Sequence, residues 1–289
     1  MQLILISGLS GSGKSVAFKA LEDSGYYAVD NLPAMLLPQL TGVLRNTGHA
    51  RCAVAVDVRS GESIAVLPGQ MKFLREFVED LRFIFLDARD DTLIARFSET
   101  RRRHPLAKEG VSLEEAIRRE RDMLEDISVL GHRIDTSDMH PNNLRTWIKD
   151  FIEARADDGL TLMFQSFGFK YGIPLDADMV FDVRCLPNPH YDPRLRPLTG
   201  FDPEVIAFFE TQPEVARMVE DIRAFVTAWL PNFIRDNRNY LTVAIGCTGG
   251  QHRSVYFAER LGEAFRDKVH VLLRHRAVTQ REENRPAQG

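Results

Sequence analysis

Three cysteines in 289 residues, Cys52, Cys185 and Cys247, are too few and too widely spaced to form a disulfide framework or to supply metal-ligand spacing. They are expected to be reduced thiols. No apolar stretch approaches the roughly 20 residues needed to span a bilayer, which excludes an integral membrane helix and leaves no membrane partner. The N-terminus lacks a basic region followed by a long apolar core. Its short apolar run, Leu3-Ile4-Leu5-Ile6, leads straight into a glycine-rich segment that signal cleavage would destroy, so a cytoplasmic location is expected. Charge of one sign is scarce too: the formal net charge of −4 argues against wholesale coating of nucleic acid and leaves room only for a local basic patch. What remains is ordinary for a globular chain, 44% hydrophobic and 27% charged, long enough for two domains with a core each.

The most specific segment is Gly8-Leu9-Ser10-Gly11-Ser12-Gly13-Lys14-Ser15, a complete G-x-x-x-x-G-K-S match between an apolar run and a helical pattern. Its glycines let the backbone curl so that N–H groups converge on phosphate oxygens. Lys14 adds a mobile positive charge, Ser15 a hydroxyl for Mg²⁺, and the helix its positive dipole end. The pattern predicts binding of a nucleoside triphosphate. A metal ligand for that site belongs at the mouth of a neighbouring strand, where Asp30, Asp57 and Asp87 are available. Asp57 fits best, in the run Asp57-Val58-Arg59-Ser60, with Asp87 next; the plain alternative is an aspartate capping a turn. Arg96 and Arg101-Arg102-Arg103, with His104 and Pro105, read either as the arginine-bearing lid of small P-loop kinases or as a solvated basic face.

Apolar runs alternate with helical patterns along the whole chain, the mark of parallel sheets wrapped by helices. Strands are predicted at Gln2–Ser7, Tyr26–Val29, Ala53–Val58, Arg82–Leu86 and Arg133–Asp135, and helices near Ser15–Asp23, Met71–Leu81, Ser112–Ile127 and Asn143–Ala154. A polar stretch ending in Gly159 marks a boundary. Beyond it, strands are predicted at Leu160–Phe164, Met179–Val183, Tyr240–Ile245 and Val269–Leu273, and helices at Pro203–Glu210, Pro213–Leu230 and His252–Phe265. The domains are thus expected at residues 1–156 and 160–279, followed by a polar tail at 280–289.

The second half carries its own glycine-rich strand-to-helix turn, Gly246-Cys247-Thr248-Gly249-Gly250-Gln251-His252-Arg253-Ser254. Freed backbone N–H groups, a helix start and the Arg253 fork make it a second anion cradle. The spacing also satisfies C-x₅-R-S, the pattern of cysteine-dependent phosphatases, in which a thiolate attacks phosphorus. Against that activity, Gly246 stands where such enzymes carry a histidine, and the acid would have to be Asp182 or Asp192. Loop geometry alone accounts for the residue types, which favours a non-catalytic phosphate pocket. Asp182, Arg184, Asn188 and His190, at another strand end, supply further polar groups for it, unless they only shape a proline-rich turn.

The phosphate loop, Gly25-Tyr26-Tyr27-Ala28-Val29-Asp30-Asn31-Leu32-Pro33, Asp57 to Ser60, Asn188-Pro189-His190-Tyr191 and Gly246 to Ser254, taken in order, resemble the bacterial RapZ/YvcJ family over essentially the whole chain. The expected fold is α/β, an N-terminal kinase-like P-loop NTPase sheet with helices on both faces and a smaller C-terminal α/β domain. The resemblance implies ATP at Gly8 to Ser15, a GTP-associated segment at Asp57 to Ser60, and modest ATPase and GTPase activity. In the members called RNase adapters it also implies a C-terminal domain that presents a small regulatory RNA to an endoribonuclease and senses an amino-sugar phosphate. His190, Thr248, Gly249 and Arg253 then become the sensing residues, and a homo-oligomer is the expected assembly. Residues 251–289 hold eight Lys or Arg against five Asp or Glu, a thinner cationic cluster than the adapter type carries, which predicts weaker RNA binding. A small-molecule kinase and a phosphatase using Cys247 and Arg253 are the alternatives.

Overall fold

The structure is a computed structural model that describes residues 1–57, 64–107, 110–153, 160–235, 238 and 240–278. It divides into two compact units, Met1–Ala156 and Asp157–Gly289.

The first unit runs β1 (Gln2–Gly8), α1 (Lys14–Asp23), β2 (Tyr27–Val29), α2 (Leu37–Asn46), β3 (Arg51–Ala55), α3 (Leu67–Leu74), β4 (Asp80–Asp87), α4 (Asp90–Thr100), α5 (Leu113–Ser128), β5 (His132–Asp135) and α6 (Pro141–Glu153). Its five strands are all parallel in the order β2-β3-β1-β4-β5. β1 and β4 are buried almost end to end, as strands covered by helices on both faces must be. One apolar cluster, including Leu3, Leu5, Val54, Phe83, Phe85 and Ile117, forms a core of this unit.

The second unit runs β6 (Thr161–Gly168), β7 (Met179–Asp182), α7 (Pro203–Glu210), α8 (Pro213–Arg235), β8 (Tyr240–Cys247), α9 (Arg253–Phe265) and β9 (His270–His275). Its four parallel strands take the order β7-β8-β6-β9 around Phe164, Val243, Phe257 and Phe265. The two sheets establish the α/β class expected from the sequence.

Several boundaries differ from the sequence pattern. Two helices, α2 and α4, were not expected. The segment predicted as one helix at Met71–Leu81 is instead α3, started earlier by Pro68 in its first turn, and Leu81 belongs to β4. β6 extends to Gly168 rather than ending at Phe164. α8 continues through Pro231 to Arg235; the proline removes the hydrogen bond to Thr227, but both residues are exposed, where water replaces a lost partner. Cys52, Cys185 and Cys247 are all unpaired. No helix among the described residues is long and apolar enough to cross a membrane.

Candidate functional site: two strand-to-helix phosphate loops

β1 lies between β3 and β4, and its C-terminal end feeds the glycine-rich loop into α1. Gly8 has φ 143°, and a Cβ there would sit 2.1 Å from the Leu86 carbonyl oxygen of β4, so only glycine lets the two strands pair to their ends. The Leu9 N–H donates to that same carbonyl at 3.1 Å, and the Ser12 N–H closes a turn onto Leu9 O at 3.1 Å. Lys14 Nζ folds back to donate to Gly8 O at 2.5 Å. α1 begins at Lys14, so the Lys14 and Ser15 N–H groups have no intrahelical acceptor and form an anion-binding end, while the Val16 N–H closes onto Gly13 O at 2.9 Å.

Side chains from three other elements grip the loop. Arg96 of α4 donates Nη1 to Gly11 O at 3.0 Å and Nη2 to Thr136 O at 2.6 Å. The Thr136 hydroxyl, just past β5, bonds to Ser12 O at 2.9 Å. Burial pushes the Arg96 pKa down against the pull of Asp135, Glu99 and Asp138. Arg96 therefore braces the loop backbone. Arg101, Arg102 and Arg103 are exposed, and Arg101 ends α4 in the left-handed conformation with φ 50°.

Glu120 of α5 is fully buried and takes both donors of Ser10: the N–H to Oε2 at 2.9 Å and the hydroxyl to Oε1 at 2.8 Å. His104 Nε2 lies 3.0 Å from Oε2, while the Leu106 N–H donates to His104 Nδ1 at 3.1 Å, so the ring proton sits on Nε2 and points at the carboxylate. Burial alone would raise the Glu120 pKa. The hydrogen bond from His104, the charge of Lys14 and the bonds from Ser10 outweigh it and hold the carboxyl below its ordinary range. The sequence pattern alone did not single out this residue. Its signal was an acidic side chain inside the apolar stripe Ala116, Ile117, Leu124 and Ile127 of α5.

Of the candidate metal ligands, Asp57 lies two residues beyond β3, level with the loop, since Ile6 pairs with Ala55 and the Val56 N–H donates to Ile6 O at 2.9 Å. Asp87 is fully buried and spent: Arg121 and Ala88 N–H donate to Oδ1, and Arg133 and Arg121 to Oδ2. The donor set of a hard cation needs carboxylate and hydroxyl oxygens open to it, and the donors on both Asp87 oxygens take that residue out of the set. Asp30 is exposed at the end of β2. Val58, Arg59 and Ser60 lie outside the described residues.

In the second unit β8, between β7 and β6, ends at Cys247, and the chain turns into α9 at Arg253. Gly250 has φ 73°, and a Cβ there would meet Gly168 N at 2.6 Å, so the turn can press against the end of β6. Cys247 Sγ accepts from the Gly250 N–H at 3.1 Å and sits 3.2 Å from Ser254 Oγ, beneath the turn. Arg253 is 4% exposed. Its Nη1 donates to Arg184 O at 2.7 Å and Leu186 O at 2.9 Å, its Nη2 reaches Thr248 Oγ1 at 3.4 Å, and its buried Nε has no partner.

That fork opens on a cavity of about 620 Å³ whose lining includes Arg184, Asn188, Tyr191, Glu214, Thr248 and Arg253. Asp182 holds Arg184 in an ion pair at 2.7 Å, and the hydrogen bond from Arg184 lowers the Asp182 pKa. The Arg184 guanidinium stacks 4.0 Å from the Phe169 ring centroid. Gly249 and Gly250 are not among the lining residues. Cys247 and Ser254 lie underneath, and neither they nor His190 and His252 are among the lining residues. The two histidine rings stand 6.5 Å apart, His190 exposed and His252 buried before α9, where burial lowers its pKa.

The cations counted near the C-terminus are partly consumed by the fold. Arg274 pairs with the buried Asp176 at 3.0 Å, Arg276 is 8% exposed, and Arg260 pairs with Glu210. Arg281 and Arg285 lie outside the described residues. Among the described residues no cluster of His, Cys, Asp and Glu has the makings of a metal site.

Comparison with known proteins agrees in both halves. Residues 1–156 match the family model described as the RapZ-like N-terminal domain, and residues 160–279 match that of the RapZ C-terminal domain. A nucleotide-binding protein of Azoarcus sp. (strain BH72) is 70% identical over 286 residues, covering 99% of this chain and 98% of its own. One from Nitrosomonas europaea is 63% identical over 281 residues, with 97% of each chain covered. Among solved structures, shikimate kinase from Bacteroides thetaiotaomicron aligns with 53% of this chain and 99% of its own at 12% identity, with a TM-score of 0.38.

Proposed function

Because the chain belongs to the RapZ family in both of its halves, we propose that it is a nucleotide-binding regulatory protein with a triphosphate site in the first unit and a metabolite site in the second. The single observation that carries the first part is the geometry of Gly8 to Ser15: a loop at the end of a central parallel strand, opening α1, with the Lys14 ammonium folded over it. Relatives named as nucleotide-binding proteins support the same reading. The loop grips phosphates rather than the ring, so both ATP and GTP are proposed ligands. Mg²⁺ would be held by Ser15 and Asp57, where it neutralises charge developing on the phosphates. Gly8, Leu9, Ser10, Gly11, Ser12 and Gly13 supply the cradle, with Asp57, Val58, Arg59 and Ser60 as the GTP-associated segment. Hydrolysis is expected to be slow, because positioning phosphates is only part of catalysis and water also needs orienting.

In the second unit the unpartnered Arg253 Nε, the Thr248 hydroxyl and the start of α9 support a phosphate-bearing ligand. Glu214, the one carboxylate among the lining residues, supports an ammonium on the same molecule, so an amino-sugar phosphate is the proposed metabolite. A phosphatase is disfavoured, because Cys247 is 3% exposed and lies under the turn. Presentation of a small RNA to an endoribonuclease completes the proposal, and the internal pairing of Arg274 and burial of Arg276 argue for weak RNA affinity. Unpaired thiols support a cytoplasmic setting. Exposed Phe73 and Phe77, whose tilted rings lie with centroids 4.8 Å apart, support a homo-oligomer.

Calorimetric titration of the full chain with ATP, GTP and an amino-sugar phosphate tests both sites. Lys14→Ala is expected to abolish triphosphate binding and spare the sugar phosphate, and triphosphate binding by Lys14→Ala at wild-type affinity would overturn the first assignment.

A further inference from the structure

A fully buried carboxylate beside a loop built to receive phosphates is electrostatically costly, and the fold has nevertheless placed Glu120 there with three donors aimed at it. Isolated buried charge costs several kcal/mol, so it persists only where donors compensate it. Here three do, and two belong to one loop residue, Ser10. The third is His104, whose tautomer is fixed by the Leu106 N–H so that it can only donate.

We infer that Glu120 is the positioning residue of the phosphate loop, a resident anion that holds the loop in its receptive shape through Ser10, with His104 locking its orientation. The inference rests on the triphosphate reading of Gly8 to Ser15 and deepens it. Ser10 N–H and O–H are two of the donors in the loop's leading half, where the Leu9 N–H is already spent on Leu86 O. By absorbing both, Glu120 fixes the leading half of the loop ahead of the Lys14 and Ser15 N–H groups, which have no intrahelical acceptor. Its negative charge also attracts the Lys14 ammonium, keeping that side chain over the loop. Opposite it, Arg96 and Thr136 fix the carbonyls of Gly11 and Ser12. The loop is therefore clamped by its donors on one side and by its acceptors on the other. Such preorganisation lowers the ordering cost of binding and appears in affinity rather than turnover.

Glu120→Gln removes the charge; with its oxygen kept on the Ser10 N–H and His104, its NH2 faces the Ser10 hydroxyl, which must turn from donor to acceptor. Ser10→Ala removes only the hydroxyl and leaves the fold intact, which keeps the inference testable should the glutamine variant fold poorly. Tripolyphosphate and Mg-ATP are titrated into wild type, Lys14→Ala, Ser10→Ala and Glu120→Gln, with thermal unfolding followed in parallel. The expected result is a roughly tenfold rise in Kd for both ligands in Glu120→Gln and about threefold in Ser10→Ala. Glu120→Asp, which keeps the charge, is expected to recover part of the affinity. Wild-type Kd values in Ser10→Ala and Glu120→Gln, with binding lost in Lys14→Ala, would overturn this inference alone. Failure of wild type itself to bind either ligand would overturn the triphosphate reading.

Discussion

Replacing Arg253 with methionine separates what the guanidinium does for the fold from what it does for a ligand. Methionine keeps the apolar stem but removes the Nη1 donor shared by the Arg184 and Leu186 carbonyls at 2.7 and 2.9 Å. Each carbonyl left without a donor costs about 1–2 kcal/mol, so the second unit is expected to lose about 2–4 kcal/mol. Of the remaining groups, Nη2 lies 3.4 Å from Thr248 Oγ1 and the buried Nε has no hydrogen-bond partner. Losing two charge-assisted bonds to a phosphate removes about 3–5 kcal/mol, a fall in affinity of roughly two to three orders of magnitude. Urea unfolding of the full chain reads the first effect, and calorimetric titration with an amino-sugar phosphate the second. A variant as stable as wild type would refute the bracing role. A destabilised variant that binds the sugar phosphate at wild-type affinity would refute the fork as its receptor.

Other perturbations probe the first unit and pH. Asp57→Asn is expected to abolish the Mg²⁺ dependence of ATP binding at little cost in stability. Asp87→Asn, which strands the Arg121 and Arg133 guanidiniums beside a neutral group, is expected to cost about 3–5 kcal/mol in denaturant unfolding. The reverse pattern would exchange their roles. Gly250→Ala forces a side chain into φ 73° against Gly168 N, so sugar-phosphate titration and melting should both show a marked loss. Burial holds the His252 pKa below its ordinary 6.5, so the folded chain binds fewer protons than the unfolded one as pH falls through that value. Stability is therefore expected to decline from pH 7 to 5, and His252→Phe should flatten that slope in pH-dependent melting curves.

Features that are local in sequence are legible from the residues alone. Both glycine-rich strand-to-helix turns announce themselves because such a tight turn needs glycine at fixed offsets, as Gly8 and Gly250 illustrate. Strand content follows from apolar runs, since parallel strands are buried on both faces. Features set by distant parts of the chain are hidden. Nothing near Glu120 says that Ser10, 110 positions away, will bind it. Arg96 reads as a lid cation because its bonds to Gly11 and Thr136 exist only after α4 packs beside the loop. Asp57 and Asp87 look alike at strand ends, and only the pairing of Asp87 with Arg121 and Arg133 distinguishes them. α4 escapes notice although Asp90 and Asp91 mark its first turn, and α8 is cut short at Pro231 by a rule that solvent exposure relaxes.

The position of β1 also constrains the order of events during synthesis. This strand leaves the ribosome before either of its neighbours, Arg51–Ala55 and Asp80–Asp87, so its apolar residues wait for most of a hundred codons before both edges are covered. A nascent chain arrested before Asp87 should therefore stay protease-sensitive throughout, and the N-terminal unit should acquire protection in one late step rather than strand by strand.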